Sequence, residues 1–288
     1  MPDAPAGAAA DPPAPGELLD LAVAAATAAG QLLLDGLDQA RLTVDTKSSP
    51  TDMVTEMDRA AEALIADTIH RSRPDDALLG EEGGRRAGRA GSPVRWIVDP
   101  LDGTTNYLYG IPAFAVSIAA EVNGALTAAA VLDVVHHELF AASRGGGARL
   151  NGAPLAIAGP PTLATALLGT GFSYQPAVRA EQAAVLRTVL PSVRDIRRGG
   201  SAALDLCSVA CGRLDAYYEF GLQPSDASRG TLVASEAGAV VTTLTGRDSI
   251  EDTVVAAPRQ LADPLCRLLL EAGAGQVTIP ASTSSAGP

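Results

Sequence analysis

The sequence predicts a layered α/β fold in two lobes, and three observations carry that prediction. Helical patterns alternate with short strand-like runs through the second half, as in sheets covered by helices. An Asn-Gly pair joins two long strand-like runs in the first half. A chain of 288 residues also exceeds one typical domain yet suits one compact two-lobed unit with a sizeable core.

Taken in order, residues 1–15 are alanine, proline, glycine and aspartate up to the helical pattern, too poor in apolar surface to offset ordering entropy, and are expected to be a disordered tail. Leucines 18, 21, 32 and 33 among helix-favouring alanines predict a helix over 17–36. A second helix is expected over 56–72, with Met57, Ala61, Leu64, Ile65 and Ile69 on one stripe. Glycine and arginine dominate Gly83 to Pro93, which reads as a mobile loop. Strands are expected at 94–98, 113–122 and 125–135, the last two joined by Asn123-Gly124 in an antiparallel hairpin. The second half predicts helices near 178–190, 201–212, 227–237 and 258–272, with strands near 165–170, 214–219, 239–243 and 253–256. The turns at Gly145–Gly147 and Asn151-Gly152 place the lobe boundary, giving lobes over 16–150 and 151–273 and a second tail over 274–288.

Composition narrows the function. Apolar residues make up 47% of the chain but aromatics only 3%, so alanine, valine and leucine supply most of the packing. The net charge of −12 and a pI near 4.6 oppose a broad electrostatic footprint for nucleic acid or anionic membrane. An acidic protein can still handle phosphates through bound metal ions, which carboxylates hold. Cys207, Cys211 and Cys266 match neither a disulfide framework nor a zinc spacing and read as core thiols. No apolar run approaches about 18 residues without polar interruption, and no secretory leader pattern opens the chain, so a cytoplasmic location is expected.

The chemistry concentrates at Asp99-Pro100-Leu101-Asp102-Gly103-Thr104-Thr105. The apolar run Trp96-Ile97-Val98 delivers Asp99 to the end of a buried strand, which Pro100 is expected to terminate, and Gly103 permits a sharp turn. Two carboxylates three apart on such a turn can face a common point, with the Leu101 carbonyl between them. Oxygen-only ligation suits Mg²⁺, Mn²⁺ or Ca²⁺ over zinc. The backbone N–H groups of Gly103, Thr104 and Thr105 follow at once, where an anion can meet the metal. Two residues separate the aspartates, against one in the D-x-D-G-T loop of covalent aspartyl phosphatases, which favours direct attack by water. The P-loop pattern is absent.

Trp96 to Asn106 resembles, without a gap, the W-[IV]-[IV]-D-P-[IL]-D-G-T-x-N signature of the inositol monophosphatase family. Gly80-Glu81-Glu82 resembles its G-E-E segment, and Lys47-Ser48-Ser49-Pro50 with Asp52 to Asp58 resembles its K-x-x-x-D-x-V-T-x-x-D stretch. The resemblance covers about residues 17–272 and implies a five-layer αβαβα sandwich, a homodimer, a requirement for two or three Mg²⁺ ions and sensitivity to lithium. It further implies that Glu81, Asp99, the Leu101 carbonyl, Asp102 and Asp226 bind metal, and that Thr104, Asp58 and Glu81 are catalytic, Thr104 orienting the attacking water with Asp58 behind it. Read on their own, Thr55-x-x-Asp58 also fits a helix capping box and Glu81 a solvated loop acid.

On the substrate side, Asp215-Ala216-Tyr217-Tyr218-Glu219 resembles the family's D-A-Y-x-E, whose glutamate accepts hydrogen bonds from inositol hydroxyls. A carboxylate suits neighbouring hydroxyls of a polyol, although a strand-end acid is the plain alternative. Gly200-Ser201-Ala202 matches the family's G-[ST]-A turn. The resemblance thus implies a substrate site of Asp102, Gly103, Thr104, Thr105, Gly200, Ser201, Ala202, Glu219 and Asp226 for a small phosphorylated cyclitol or sugar. Arg197 and Arg198 could pair with phosphate or with acids elsewhere. The clear departure is Ser225-Asp226-Ala227-Ser228-Arg229-Gly230, where the family reads W-D-x-A-[AG]-G. Asp226 is kept, the indole is lost, and Arg229 brings a bulky cation to the start of the expected helix. His136 and His137 are expected in a strand, pointing to opposite faces, and His70 at the end of a helical stripe, all in structural roles. Inositol monophosphate is the leading substrate. Fructose 1,6-bisphosphate, 3′-phosphoadenosine phosphates and histidinol phosphate are alternatives, as is a non-catalytic, metal-sensitive regulatory protein.

Overall fold

The computed structural model describes residues 13–37, 44–46, 53–83, 85–89, 91–157, 162–222, 224–246, 252–277 and 279, with backbone alone at 44–46, 53–55, 85 and 224–228. Helix α1 (Pro15–Gly36) starts on a proline, whose missing N–H costs nothing in the first turn. It is long and apolar enough, by length and composition, to cross a membrane, which the sequence reading did not anticipate. Its stripe of Leu18, Ala22, Ala25, Ala26, Ala29 and Leu33 is instead buried in the core. A ribbon of β1 (Val44–Thr46) and β2 (Met53–Thr55) follows, then α2 (Glu56–Ser72). Lys47–Pro50 and Asp52 lie outside the described residues.

Next come β3 (Ala77–Gly80), β4 (Arg85–Arg86), β5 (Val94–Asp102), α3 (Thr104–Tyr109), β6 (Ala115–Val122) and β7 (Ala125–Asp133). Strand β4 pairs antiparallel with β3 inside the segment read as a loop. Between β6 and β7, Asn123 and Gly124 have φ of 51° and 78°, the two left-handed residues that a tight hairpin turn requires. Strands β8 (Glu138–Ser143), β9 (Gly147–Leu150) and β10 (Ala153–Pro154) extend the same sheet. His136 and His137 lie in the β7–β8 turn, not in a strand. There the Asp133 carboxylate accepts from the backbone of Val135 and His136 at 3.2 and 3.0 Å, a local alternative to the strand ladder.

The second half runs β11 (Leu167–Thr170), α4 (Pro176–Val189), β12 (Asp195–Arg197), α5 (Ala202–Ala210), β13 (Ala216–Phe220), α6 (Pro224–Glu236), β14 (Val240–Thr243), β15 (Thr253–Ala257) and α7 (Arg259–Glu271). Among the described residues there are two large sheets. One has eight strands ordered β10-β9-β8-β7-β6-β5-β3-β4, antiparallel except for the β3–β5 pair. The other has five, β12-β11-β13-β15-β14, and mixes both pairings.

Period-two burial sorts each strand's residues onto two faces and builds five layers. Trp96, Val98, Val116, Ile118, Ala128 and Ala130 on one face of the large sheet pack with α1 and α2. Ala115, Ala119, Ala129, Val131, Phe140 and Ala142 on the other face pack with α5 and α6. The far side of α5 presents Leu206 and Val209 to Tyr217 and Ala256 of the small sheet. That sheet's outer face, with Leu168, Tyr218 and Val255, is covered by α4 and α7. The order helix, sheet, helix, sheet, helix is the αβαβα sandwich. Cys207 is buried, Cys211 and Cys266 are half-buried against the same clusters, and all three are free. Ala274 to Gln276 form a short helical turn and Ala274 is buried, so the core extends into the segment read as the start of a tail, because Val277 and Ile279 bring apolar surface to it.

Candidate active site

Strands β3 and β5 run parallel with Gly80 opposite Val98, so Glu81 and Asp99 follow at neighbouring strand positions. The expected end of β5 at Pro100 does not occur. The strand continues to Asp102, with Asp99 opposite Ser117 and Asp102 opposite Ala115. Three steps on β5 therefore match two on β6, and the bulge accommodates a proline that cannot donate to the ladder. The Leu101 N–H instead donates to Asp99 Oδ1 at 3.0 Å. Beside it, Glu62 of α2 accepts from the backbone of Glu82 at 2.8 Å and fixes the Glu81 turn.

Gly103 has φ of 98° and ends the strand in a conformation that side chains resist. A Cβ there would come within 3.0 Å of the Ala113 carbonyl and 3.3 Å of the Gly200 carbonyl. Asn106 reinforces this approach, donating to the carbonyls of Ala113 and Gly199 at 2.6 and 2.8 Å. Backbone turns from the two halves of the chain are thus clamped together. Thr104 Oγ1 stands 3.1 Å from both Asp58 Oδ1 and the Leu101 carbonyl. Asp58 is buried, so the geometry aligns it with support of Thr104; the Thr55 side chain that a capping box needs lies outside the described residues.

From the second half of the chain, Ser201 caps α5 by accepting from Leu204 N–H at 3.2 Å. Its hydroxyl donates to Asp102 Oδ2 at 2.6 Å, and Ala203 N–H donates to the same oxygen at 2.8 Å. Burial pushes the Asp102 carboxyl above the usual range despite these two hydrogen bonds and the nearby Arg229 charge. The metal-free fold therefore favours the neutral acid at Asp102.

One cleft gathers Glu81, Asp99, Leu101, Asp102, Gly103, Thr104, Gly200, Ser201, Ala202 and Glu219. Thr105 is not among its lining residues. Asp226 stands three residues before Arg229 on α6, and its side chain lies outside the described atoms. Tyr217 donates its hydroxyl to Glu219 and holds that carboxylate in place. Among the described residues, no three His, Cys, Asp or Glu side chains already form a cluster tight enough to hold an ion.

Of three further lining residues, the sequence reading missed Asp205 and named Arg198 and Arg229 without placing them in the site. Asp205, on α5, is pushed up to about 8 by burial, then by the charges of Glu219 and Asp102. A lone acid between Leu204 and Leu206 in an apolar helix was the available signal. Both Arg197 and Arg198 are exposed, but Arg198 lines the cleft, whereas Arg197 is paired with Asp195 at 2.6 Å, which separates two arginines the sequence left equivalent. Arg229 is buried, and its Nη2 lies 3.2 Å from Asp99 Oδ2.

A sequence model of the inositol monophosphatase family matches residues 15–274. The inositol-1-monophosphatase SuhB of Mycobacterium tuberculosis is 49% identical over 234 residues, covering 78% of this chain and 81% of the relative. The Nus factor SuhB of Pseudomonas aeruginosa is 43% identical over 233 residues, covering 80% and 86%. The crystal structure of the extragenic suppressor protein SuhB from Bartonella henselae superimposes with a TM-score of 0.83 at 37% identity, covering 88% of this chain and 98% of that one. With its sandwich, its bulged strand and its matched sequence, the chain belongs to the inositol monophosphatase family, a family of phosphoric monoester hydrolases.

Proposed function

We propose that the protein hydrolyses inositol monophosphate to inositol and phosphate with Mg²⁺ as cofactor. The observation that carries this reading is the convergence of Glu81, Asp99, the Leu101 segment, Asp102 and Thr104 with Glu219 in one cleft. Hard oxygen donors fit Mg²⁺. Glu81, Asp99, the Leu101 carbonyl, Asp102 and Asp226 would hold two or three such ions. When bound, the ions lower the pKa of the attacking water and stabilise charge on the departing ester oxygen.

The chain's own groups do the rest. By donating its proton to Asp58, an acceptor-only carboxylate, Thr104 keeps its oxygen lone pairs to accept from water and aim it. The water oxygen bonds to phosphorus as the ester P–O bond breaks, the water gives up one proton and the departing inositol oxygen takes one up, with no covalent enzyme intermediate. Ser201 and Ala203 engage one Asp102 oxygen and leave the other for a cation. Glu219, anchored by Tyr217, accepts from ring hydroxyls, and Arg198 supplies positive charge to the cleft. This polyol-accepting wall favours inositol over fructose 1,6-bisphosphate, 3′-phosphoadenosine phosphates and histidinol phosphate, and the M. tuberculosis relative carries the corresponding name. A cytoplasmic homodimer, sensitive to lithium and binding neither nucleic acid nor membrane, completes the proposal.

The relative named a Nus factor supports a second reading, a regulatory binding protein built on the same fold. Phosphate release from inositol 1-phosphate separates the two. The parent should be active only with Mg²⁺, and Asp99→Asn should lose at least about a hundredfold in kcat/KM. A folded parent that releases no phosphate from any of the four substrate classes leaves only the second reading.

A further inference from the structure

Arg229 is among the largest fully buried side chains of the protein, and it comes from α6, opposite the bulged strand. Its guanidinium meets Asp99, itself buried, at 3.2 Å and lines the same cleft as Glu81, Leu101, Asp102 and Thr104. Its charge also acts on Asp102. Guanidinium is permanently protonated, so this is a fixed positive charge placed on the carboxylates that face the cleft. Removing one partner of a buried ion pair is costly, which ties the two residues together in the metal-free fold.

We infer that Arg229 is a built-in cation that competes with divalent metal for Asp99, setting a higher metal requirement than the same site would have with a small residue there. This rests on the proposed role of Asp99 as a metal ligand. A divalent ion at Asp99 either shares the carboxylate with the guanidinium, against repulsion between like charges at short range, or moves it aside. Both routes weaken metal binding. The fixed charge in turn stabilises the metal-free protein by neutralising Asp99. The chain therefore spans the metal-free and metal-bound states with a smaller change in stability than its carboxylate count suggests.

The test is Mn²⁺ binding to the full chain, read by electron paramagnetic resonance of free Mn²⁺ and by the Mn²⁺-induced rise in Tm. Arg229→Met keeps the volume and removes the charge; Arg229→Lys keeps the charge. Arg229→Met should bind Mn²⁺ at least about tenfold tighter than the parent, melt lower without metal and recover with it. Arg229→Lys should stay close to the parent. In an Asp99→Asn background, Arg229→Met should no longer change the affinity. Should Arg229→Met fail to fold, the parent suffices: its Arg229 guanidinium NMR signals should shift as Mg²⁺ is added. Unchanged or weaker Mn²⁺ binding in Arg229→Met, equal gains in Arg229→Lys, or guanidinium signals blind to Mg²⁺ would each overturn the inference. Failure of the ligand reading looks different: the parent and Asp99→Asn would then bind Mn²⁺ equally well.

Discussion

Asp205 shows how one residue can set a pH response. Its carboxyl is pushed up to about 8, by burial first and then by Glu219 and Asp102, while the Gly199 backbone pulls it down. The folded chain therefore keeps a proton that the unfolded chain releases above about pH 4. From there up to about pH 8 the unfolded state binds fewer protons, and stability falls as pH rises, by at most about 1.4 kcal/mol per pH unit for one group. Asp205→Asn should flatten this slope. Urea midpoints at pH 5, 6.5 and 8 measure it, and an unchanged slope would show that Asp205 ionises normally. The signal for this residue lay in the sequence as one acid in an apolar helix. What it faces was not legible, because Glu219 and Asp102 are brought to it by separate strands.

At the scale of elements, the β5 bulge and the N-terminus of α5 form one unit. Ser201 serves both, as the cap of α5 and as a donor to Asp102. Ser201→Ala should cost about 0.5–2 kcal/mol through the lost cap, measured by chemical denaturation. It should also lower kcat, since Asp102 loses one of its two orienting donors. Full activity with reduced stability would mean that Ala203 N–H alone positions Asp102. Helix extents at 56–72 and over α4 to α7 were legible within a few residues, since each buries an apolar stripe against a sheet. The continuation of β5 past Pro100 was not, because a bulge depends on the register of β6. The turn at His136 and His137 was misread for a related reason: the Asp133 side chain, not the ladder, takes up its backbone N–H groups.

Across the whole molecule, the central helix α5 belongs to two cores at once, facing the large sheet on one side and the small sheet on the other, while its neighbour α6 packs on the large sheet and touches β14 and β15. Neither sheet can lose them without exposing its inner face, so the fold should melt as one unit. Leu206→Ala, in the cluster that faces the small sheet, should cost about 2–5 kcal/mol. The loss should appear equally in the fluorescence of Trp96, the single tryptophan, which is buried on the far side of the large sheet. A Trp96 transition that stays at the parent midpoint while circular dichroism shifts would show the sheets unfolding separately.

By itself the sequence determined the alternation of helices and strands, the hairpin at Asn123-Gly124, the family, and the segment that holds Asp99 and Asp102, since each is encoded within a few consecutive residues. Tertiary structure decided the partnerships: Asp58 with Thr104, which the family resemblance already implies, and Ser201 with Asp102, Tyr217 with Glu219, and Arg229 with Asp99, which nothing in the sequence pairs. The first, second and fourth of these join residues 46, 99 and 130 positions apart. Local propensity carries no information over such distances; the stacking of two sheets about shared helices, driven by burial of alanine-rich faces, is what brings these charges into one cleft.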